Sequence, residues 1–204
     1  MDPKVQDKRM EKGEQTRIRI LHAAIAIISE HGIKEVSAAK LAQLTGVSKS
    51  NIFHHFKSID EILHGALHIL FDDLLEPMAQ EYRDLEQFLH QLGQSIFRVP
   101  EPYLKAFKAF FSFYHEGMFN ADFREALLSC TDKITELLGH QLNRLALRPL
   151  DEKTLESVTA LLFSLMDGMG LHYLLNGNGQ LYEQAWRLQV SMLCRHLAED
   201  DSLA

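Results

Sequence analysis

Residues 36–57, VSAAKLAQLTGVSKSNIFHHFK, carry two helix starts eleven residues apart, and that repeat constrains this 204-residue chain more than any other feature. Val36 precedes Ser37 and Val47 precedes Ser48, so each serine can cap a helix by accepting orphan backbone N–H groups. Each valine then has an apolar partner inside the helix it precedes, Leu41 for the first and Ile52 for the second, the arrangement of a hydrophobic staple. Between them Thr45-Gly46 supplies a left-handed turn that ends the first helix. Two capped helices joined by a three-residue turn make a helix-turn-helix.

At 100° per residue, the second helix puts Ile52, Phe53 and Phe56 on one side and Ser50, Asn51, His54 and His55 on the other. In such a motif the N-terminal residues of the second helix approach base edges in the major groove. Lys49, Ser50 and Asn51 are therefore the base-reading candidates: lysine can bond guanine O6 and N7, and asparagine can pair with adenine N6 and N7. His54, His55 and Lys57 suit phosphate oxygens, and Ser37, Lys40, Ser48 and Phe53 complete the expected DNA-facing set. The plainer reading, a solvated helix face in an ordinary helical protein, leaves the doubled cap and staple unexplained.

The stretch TRIRILHAAIAIISEHGIKEVSAAKLAQLTGVSKSNIFHHFKSIDEIL resembles the N-terminal domain of TetR-type transcriptional regulators. The resemblance rests on Ile20 and Ala23-Ala24, on Gly32, on Leu41-Ala42 before Gly46-Val47-Ser48, and on the run Phe53 to Phe56 followed by Lys57. Two positions depart from the family pattern. Phe53 and His54 stand where tyrosines are usual, so phenolic phosphate contacts do not carry over, and Ile59 replaces a lysine common at the start of the next helix. The resemblance implies an all-α, nine-helix architecture: a three-helix helix-turn-helix domain, then a six-helix ligand-binding and dimerisation domain. It further implies a homodimer on a palindromic double-stranded DNA operator, released by a small-molecule effector, most often as relief of repression.

Charge divides the chain the same way. Residues 1–57 hold ten Lys and Arg against six Asp and Glu, a net +4, and residues 58–204 hold eleven against twenty-two, a net −11 within the total of −7. A local basic face can meet DNA while the acidic body keeps the rest soluble. Lys4, Lys8, Arg9, Lys12, Arg17 and Arg19 can extend that face as an arm, with residues 1–13 flexible. A merely solubilising tail is the alternative for residues 1–12, where Asp2, Asp7 and Glu11 are interspersed.

Periodicity and punctuation predict helices throughout and no strand. Helix one is expected over 14–31 with Ile18, Leu21, Ile25 and Ile28 inward and Gly32 as its stop; the helix-turn-helix domain then closes at 57. Ser58 and Glu61 form a capping box that opens a linking helix over 58–80. The remaining helices, expected over 84–98, 102–116, 121–147, 151–175 and 179–199, make up an effector-binding and dimerisation domain over 81–204. Breaks are marked by Pro100 and Pro102, Gly117 to Asn120, Pro149, and Asn176-Gly177-Asn178-Gly179.

In the body, Phe107, Phe110, Phe111 and Tyr114 crowd one stretch, YLKAFKAFFSFYHEGMF, and ordinary helix packing is the competing reading for each. The family resemblance implies a cavity walled by the linking helix, this aromatic helix and the penultimate helix, where Met166, Met169 and Tyr173 recur at helical spacing. Phenylalanine and methionine suit an apolar effector. His115, Glu116, Asp167 and His172 are candidates for its few polar contacts. The last two helices hold more apolar surface than one inner face requires, and Gly168 and Gly170 are costly within a helix unless something packs close, which points to dimerisation.

Catalysis finds no support: His115-Glu116 lacks a second histidine four residues after the first, and no P-loop, dinucleotide fingerprint or nucleophile elbow is present. No cofactor or metal is expected. No apolar stretch approaches a membrane span and no signal segment opens the chain, so a cytoplasmic protein is expected. Cys130 and Cys194 show no paired spacing and are expected to be buried thiols. The remaining rival is a DNA-binding dimer without small-molecule control, its body serving only dimerisation or protein contacts.

Overall fold

Why each helix begins where it does is largely a matter of capping. In the computed structural model, which describes residues 3–97 and 101–198, the described residues form nine α-helices and one short 3-10 turn, with no strand. These are α1 (Pro3–His31), the 3-10 turn (Ile33–Glu35), α2 (Ala38–Thr45), α3 (Lys49–His55), α4 (Ile59–Met78), α5 (Leu85–Phe97), α6 (Glu101–Phe119), α7 (Ala121–Leu145), α8 (Glu152–Asn176) and α9 (Gly179–Ala198). Ser37, Ser48 and Asp151 cap α2, α3 and α8, accepting the N–H groups of Lys40, Asn51 and Thr154. Asn120 stands alone between α6 and α7, and its Oδ1 accepts from Asp122 N and Phe123 N at 3.1 and 3.4 Å.

Two details differ from expectation. Helix α1 begins at Pro3 rather than at 14, so the segment read as an arm is helical from that residue; Gly13 is its only strongly unfavourable interior residue. Met1, Asp2 and the side chains of Lys4, Lys8 and Arg9 lie outside the described residues, as does Pro100. The buried stripe of α1 is Ile20, Leu21, Ala24, Ile27 and Ile28, while Ile18 is 41% exposed. The true stripe is therefore rotated from the expected one, because the covering elements α2, α3 and the 3-10 turn select the face.

The chain divides into two compact units, residues 1–71 with 105–127, and residues 72–104 with 128–204. The first unit thus takes in most of α6 and the first turns of α7, which the sequence reading assigned to the larger domain. Its core joins Leu41, Ile52 and Phe56 with Ile62, Ala66, Leu67 and Phe71 of α4, and includes Phe110, Phe113 and Phe123. Phe71 packs on Phe110 with centroids 5.2 Å apart, and the His64 ring stacks on Phe123 at 4.5 Å. Arg124 donates to the carbonyls of Gly117 and Met118 and so closes the end of α6.

In the second unit α5 lies against α9 and α8. Leu85, Phe88, Leu89, Leu92 and Ile96 of α5 are buried, as are Trp186, Val190, Leu193 and Leu197 of α9. The indole Nε1–H of Trp186 donates to Leu89 O at 2.8 Å, satisfying the one polar atom of the largest core side chain. Buried Gln141 of α7 donates to both Met78 O and Gln80 O at 2.8 Å, closing the C-terminal end of α4. Cys130 is buried and Cys194 half-buried, no disulfide joins them, and burial pushes both thiols up from their ordinary pKa.

Candidate nucleic-acid interface

The turn between α2 and α3 is built from local hydrogen bonds. Thr45 Oγ1 donates to Leu41 O at 2.7 Å and accepts from Val47 N at 3.2 Å, while Gly46 takes the left-handed φ of 68° and its N–H bonds to Ala42 O. A side chain at that φ would be strained, which is why glycine ends α2. Val36 and Leu41, and likewise Val47 and Ile52, are all buried, as the two staples require.

On α3, Ile52 and Phe56 face the core, and Ser48, Lys49, Ser50, Asn51, His54 and Lys57 are exposed. Phe53 is a correction to the helical-wheel reading. It is 48% exposed rather than packed beside Ile52 and Phe56, because those two already fill the core contact of a seven-residue helix. His55 is half-buried, with its ring edge 4.0 Å from where a Cβ at Gly13 would sit. Ser37 is half-buried as the α2 cap, and Lys40, also half-buried, pairs with Glu35. That hydrogen bond and charge hold the Glu35 carboxyl below its ordinary pKa.

Residues 20–66, from the middle of α1 into α4, match the family profile described as bacterial regulatory proteins, tetR family. Residues 20–66 thus form a domain of the tetR regulatory-protein type. An HTH-type transcriptional regulator, BetI of Cronobacter sakazakii, is 23% identical over 187 residues, covering 89% of this chain and 91% of that protein. Among solved structures, a transcriptional regulator from Rhodococcus sp. Rha1 superposes with a TM-score of 0.77 at 22% identity, covering 90% of this chain and 98% of the other. A transcriptional regulator from Saccharomonospora viridis in complex with choline gives a TM-score of 0.72 at 20% identity, covering 90% and 97%. These likenesses establish the all-α TetR architecture, and the profile match makes residues 20–66 a DNA-binding domain of the kind found in transcriptional regulators.

The residues expected around an effector fall into both compact units. Phe107, Phe110, Phe111 and Tyr114 belong to the first, where Phe110 is buried and stands 4.7 Å from the Tyr114 ring and 5.6 Å from that of Phe111. Met166, Met169 and Tyr173 belong to the second, all half-buried, with Tyr173 edge-on to Phe97 at 6.0 Å. Of the polar candidates, His115 and His172 are exposed, resting on Phe119 and Tyr182 respectively, and Glu116 and Asp167 are half-buried.

Sequence reasoning grouped Arg17 with the basic arm and missed its bond to His55 O at 2.9 Å, and it missed the bond from Lys57 N–H to the Glu61 carboxylate at 2.6 Å. A signal was present. Arg17 lies three and four residues before Ile20 and Leu21, so it continues the buried stripe of α1 as a charged residue on an apolar face.

Proposed function

We propose that this chain binds a palindromic operator as a homodimer and represses transcription until a small, largely apolar effector lowers its operator affinity. The observation that carries the reading is α3 itself: capped at Ser48, anchored by Ile52 and Phe56, and exposing Lys49, Ser50 and Asn51 at its N-terminal end. Those three are proposed to read base edges, with His54, His55 and Lys57 on phosphates and Ser37, Lys40, Ser48 and Phe53 flanking them.

Dimerisation is supported by an uncovered apolar row. Leu161, Gly168 and Leu175 of α8 recur at seven-residue spacing and are exposed, as are Leu181, Leu188 and Met192 of α9. A Cβ at Gly168 would meet nothing within 4 Å, leaving room for a second helix. Contrary to the expectation that no segment is apolar enough, α8 is long and apolar enough to cross a membrane by length and composition alone, and little of it is buried within the chain. A second copy covering this row would account for that apolar surplus in a cytoplasmic protein. Half-sites would then lie roughly 34 Å apart, or a multiple of that distance.

An effector acts only through its difference in affinity for the DNA-competent and DNA-incompetent states. The aromatic group Phe107, Phe110, Phe111 and Tyr114 supports an apolar ligand, and its ring faces also suit a quaternary ammonium, which makes choline a reasonable first probe. The test is selection of duplexes from a random pool by the purified protein, then titration of the enriched duplex with and without choline and a panel of aromatic compounds. Enrichment of a palindrome and a ligand-induced loss of affinity support the reading. Ligands that bind and leave operator affinity unchanged would favour the ligand-independent dimer instead.

A further inference from the structure

Helix α3 has seven residues, too few to hold its shape or direction by itself, so its presentation to DNA is set by what grips its ends. The start is gripped by Ser48. The other end meets Arg17 of α1, whose Nη1 donates to His55 O, the last carbonyl of α3, at 2.9 Å. The same guanidinium lies over the Phe56 ring, 4.3 Å from its centroid, and its Nη2 stands 3.9 Å from Glu61 Oε1 at the head of α4. Glu61 in turn accepts the backbone N–H of Lys57 at 2.6 Å through Oε2, and its own N–H bonds to Ser58 Oγ at 3.1 Å.

We propose that Arg17 is a positioning residue for DNA reading, a clasp that fixes the C-terminal end of α3 to α1 and α4 and so sets the orientation of Lys49, Ser50 and Asn51. This rests on the reading of α3 as the recognition helix. The cation sits at the helix end where the carbonyl dipoles favour it, and its fork meets a carbonyl and a ring at the end of α3 and a carboxylate at the head of α4. A lysine is a point charge and cannot reproduce those contacts together. Base-edge hydrogen bonds require the helix to be held within a fraction of an ångström, whereas phosphate contacts tolerate small rotations. Loosening the clasp therefore lowers operator affinity much more than affinity for arbitrary DNA.

The test compares Arg17→Lys, Arg17→Gln and Glu61→Gln with wild type on two probes: the duplex that wild type enriches from a random pool, and a scrambled duplex of the same length. The clasp predicts that both Arg17 variants lose about tenfold on the enriched duplex, stay within about twofold on the scrambled one, and keep the salt dependence of binding. Glu61→Gln removes a negative charge, so simple electrostatics would tighten binding to both probes. The clasp predicts a fall in the enriched-to-scrambled ratio even so. Amide exchange in α3 should quicken in all three variants while circular dichroism and cooperative melting remain native. A direct phosphate contact would instead leave Arg17→Lys near wild type, and make Arg17→Gln weaker on both probes with a salt slope flatter by about one unit; that result overturns the proposal. An unchanged ratio in Arg17→Lys and Glu61→Gln also overturns it. Failure of wild type to enrich any duplex would overturn the DNA-reading premise as well, so the two failures are distinguishable.

Discussion

Replacing Gly93 by alanine should destabilise the second unit, although alanine is the better helix former. A Cβ at Gly93 would lie 2.3 Å from Trp186 Cδ1 and 2.4 Å from Nε1, against about 3.5–4.0 Å for a comfortable carbon contact. The indole must withdraw by more than about 1 Å from a site where it is only 1% exposed. Such overpacking costs about 1–3 kcal/mol. Withdrawal also stretches the Trp186 bond to Leu89 O, and a buried N–H left without its partner costs about 1–3 kcal/mol more. Helix propensity returns about 1 kcal/mol, leaving a net loss of about 1–5 kcal/mol. Trp186 is the only tryptophan in the chain, so its fluorescence during urea unfolding reports this site directly. Measurements need fixed protein concentration, since association would shift the midpoint. The expected result is a lower midpoint with an unchanged slope and an altered native emission maximum. In a Trp186→Phe background, followed by circular dichroism, the same substitution should cost less, because the smaller ring has no N–H to strand. A midpoint equal to or above wild type in the Trp186 background would refute the reasoning.

On the enriched duplex, Lys49→Ala should weaken preference at one base position, whereas Lys57→Ala should weaken binding to all sequences and flatten its salt dependence by about one unit. Equal losses on operator and random DNA for both variants would sink that division of roles. Leu175→Glu with Leu188→Glu places charge on the exposed faces of α8 and α9, and sedimentation should show a folded monomer that binds operator poorly; an unchanged dimer would move the interface elsewhere. Asp84 and Asp151 both have carboxyls held below the ordinary value of 3.8, by the Gln87 N–H first in one case and the Thr154 hydroxyl first in the other. Their folded-state pKa is the lower one, so their stabilisation is fully present above the unfolded value and is lost as pH falls through the folded one. Asp151→Asn should therefore flatten the loss of stability below about pH 4, measured by urea midpoints across pH 2.5–6.

Much of this protein is written in short-range chemistry. Ser37, Ser48 and Asp151 cap helices through N–H groups three residues away, and Gly46 and Gly177 end helices by adopting positive φ, so helix limits after α1 lie within three residues of those read from sequence. The same locality made the polar face of α3 visible, since a cap, a staple and a polar arc all lie within about two turns of Ser48. Tertiary structure alone decided which face of each helix is covered. Ile18 is exposed and Ala24 buried because α2 and α3 lie on one particular side of α1, and no periodicity count within α1 contains that information. The placing of Arg17 against His55, 38 residues away, and of Trp186 against Leu89, 97 residues away, has the same cause. A hydrogen bond between neighbours in sequence follows from backbone geometry and side-chain length, whereas one between distant residues exists only after every intervening helix has packed. The caps around Ser48 could therefore be read as sequence, and the clasp that orients them had to be seen folded.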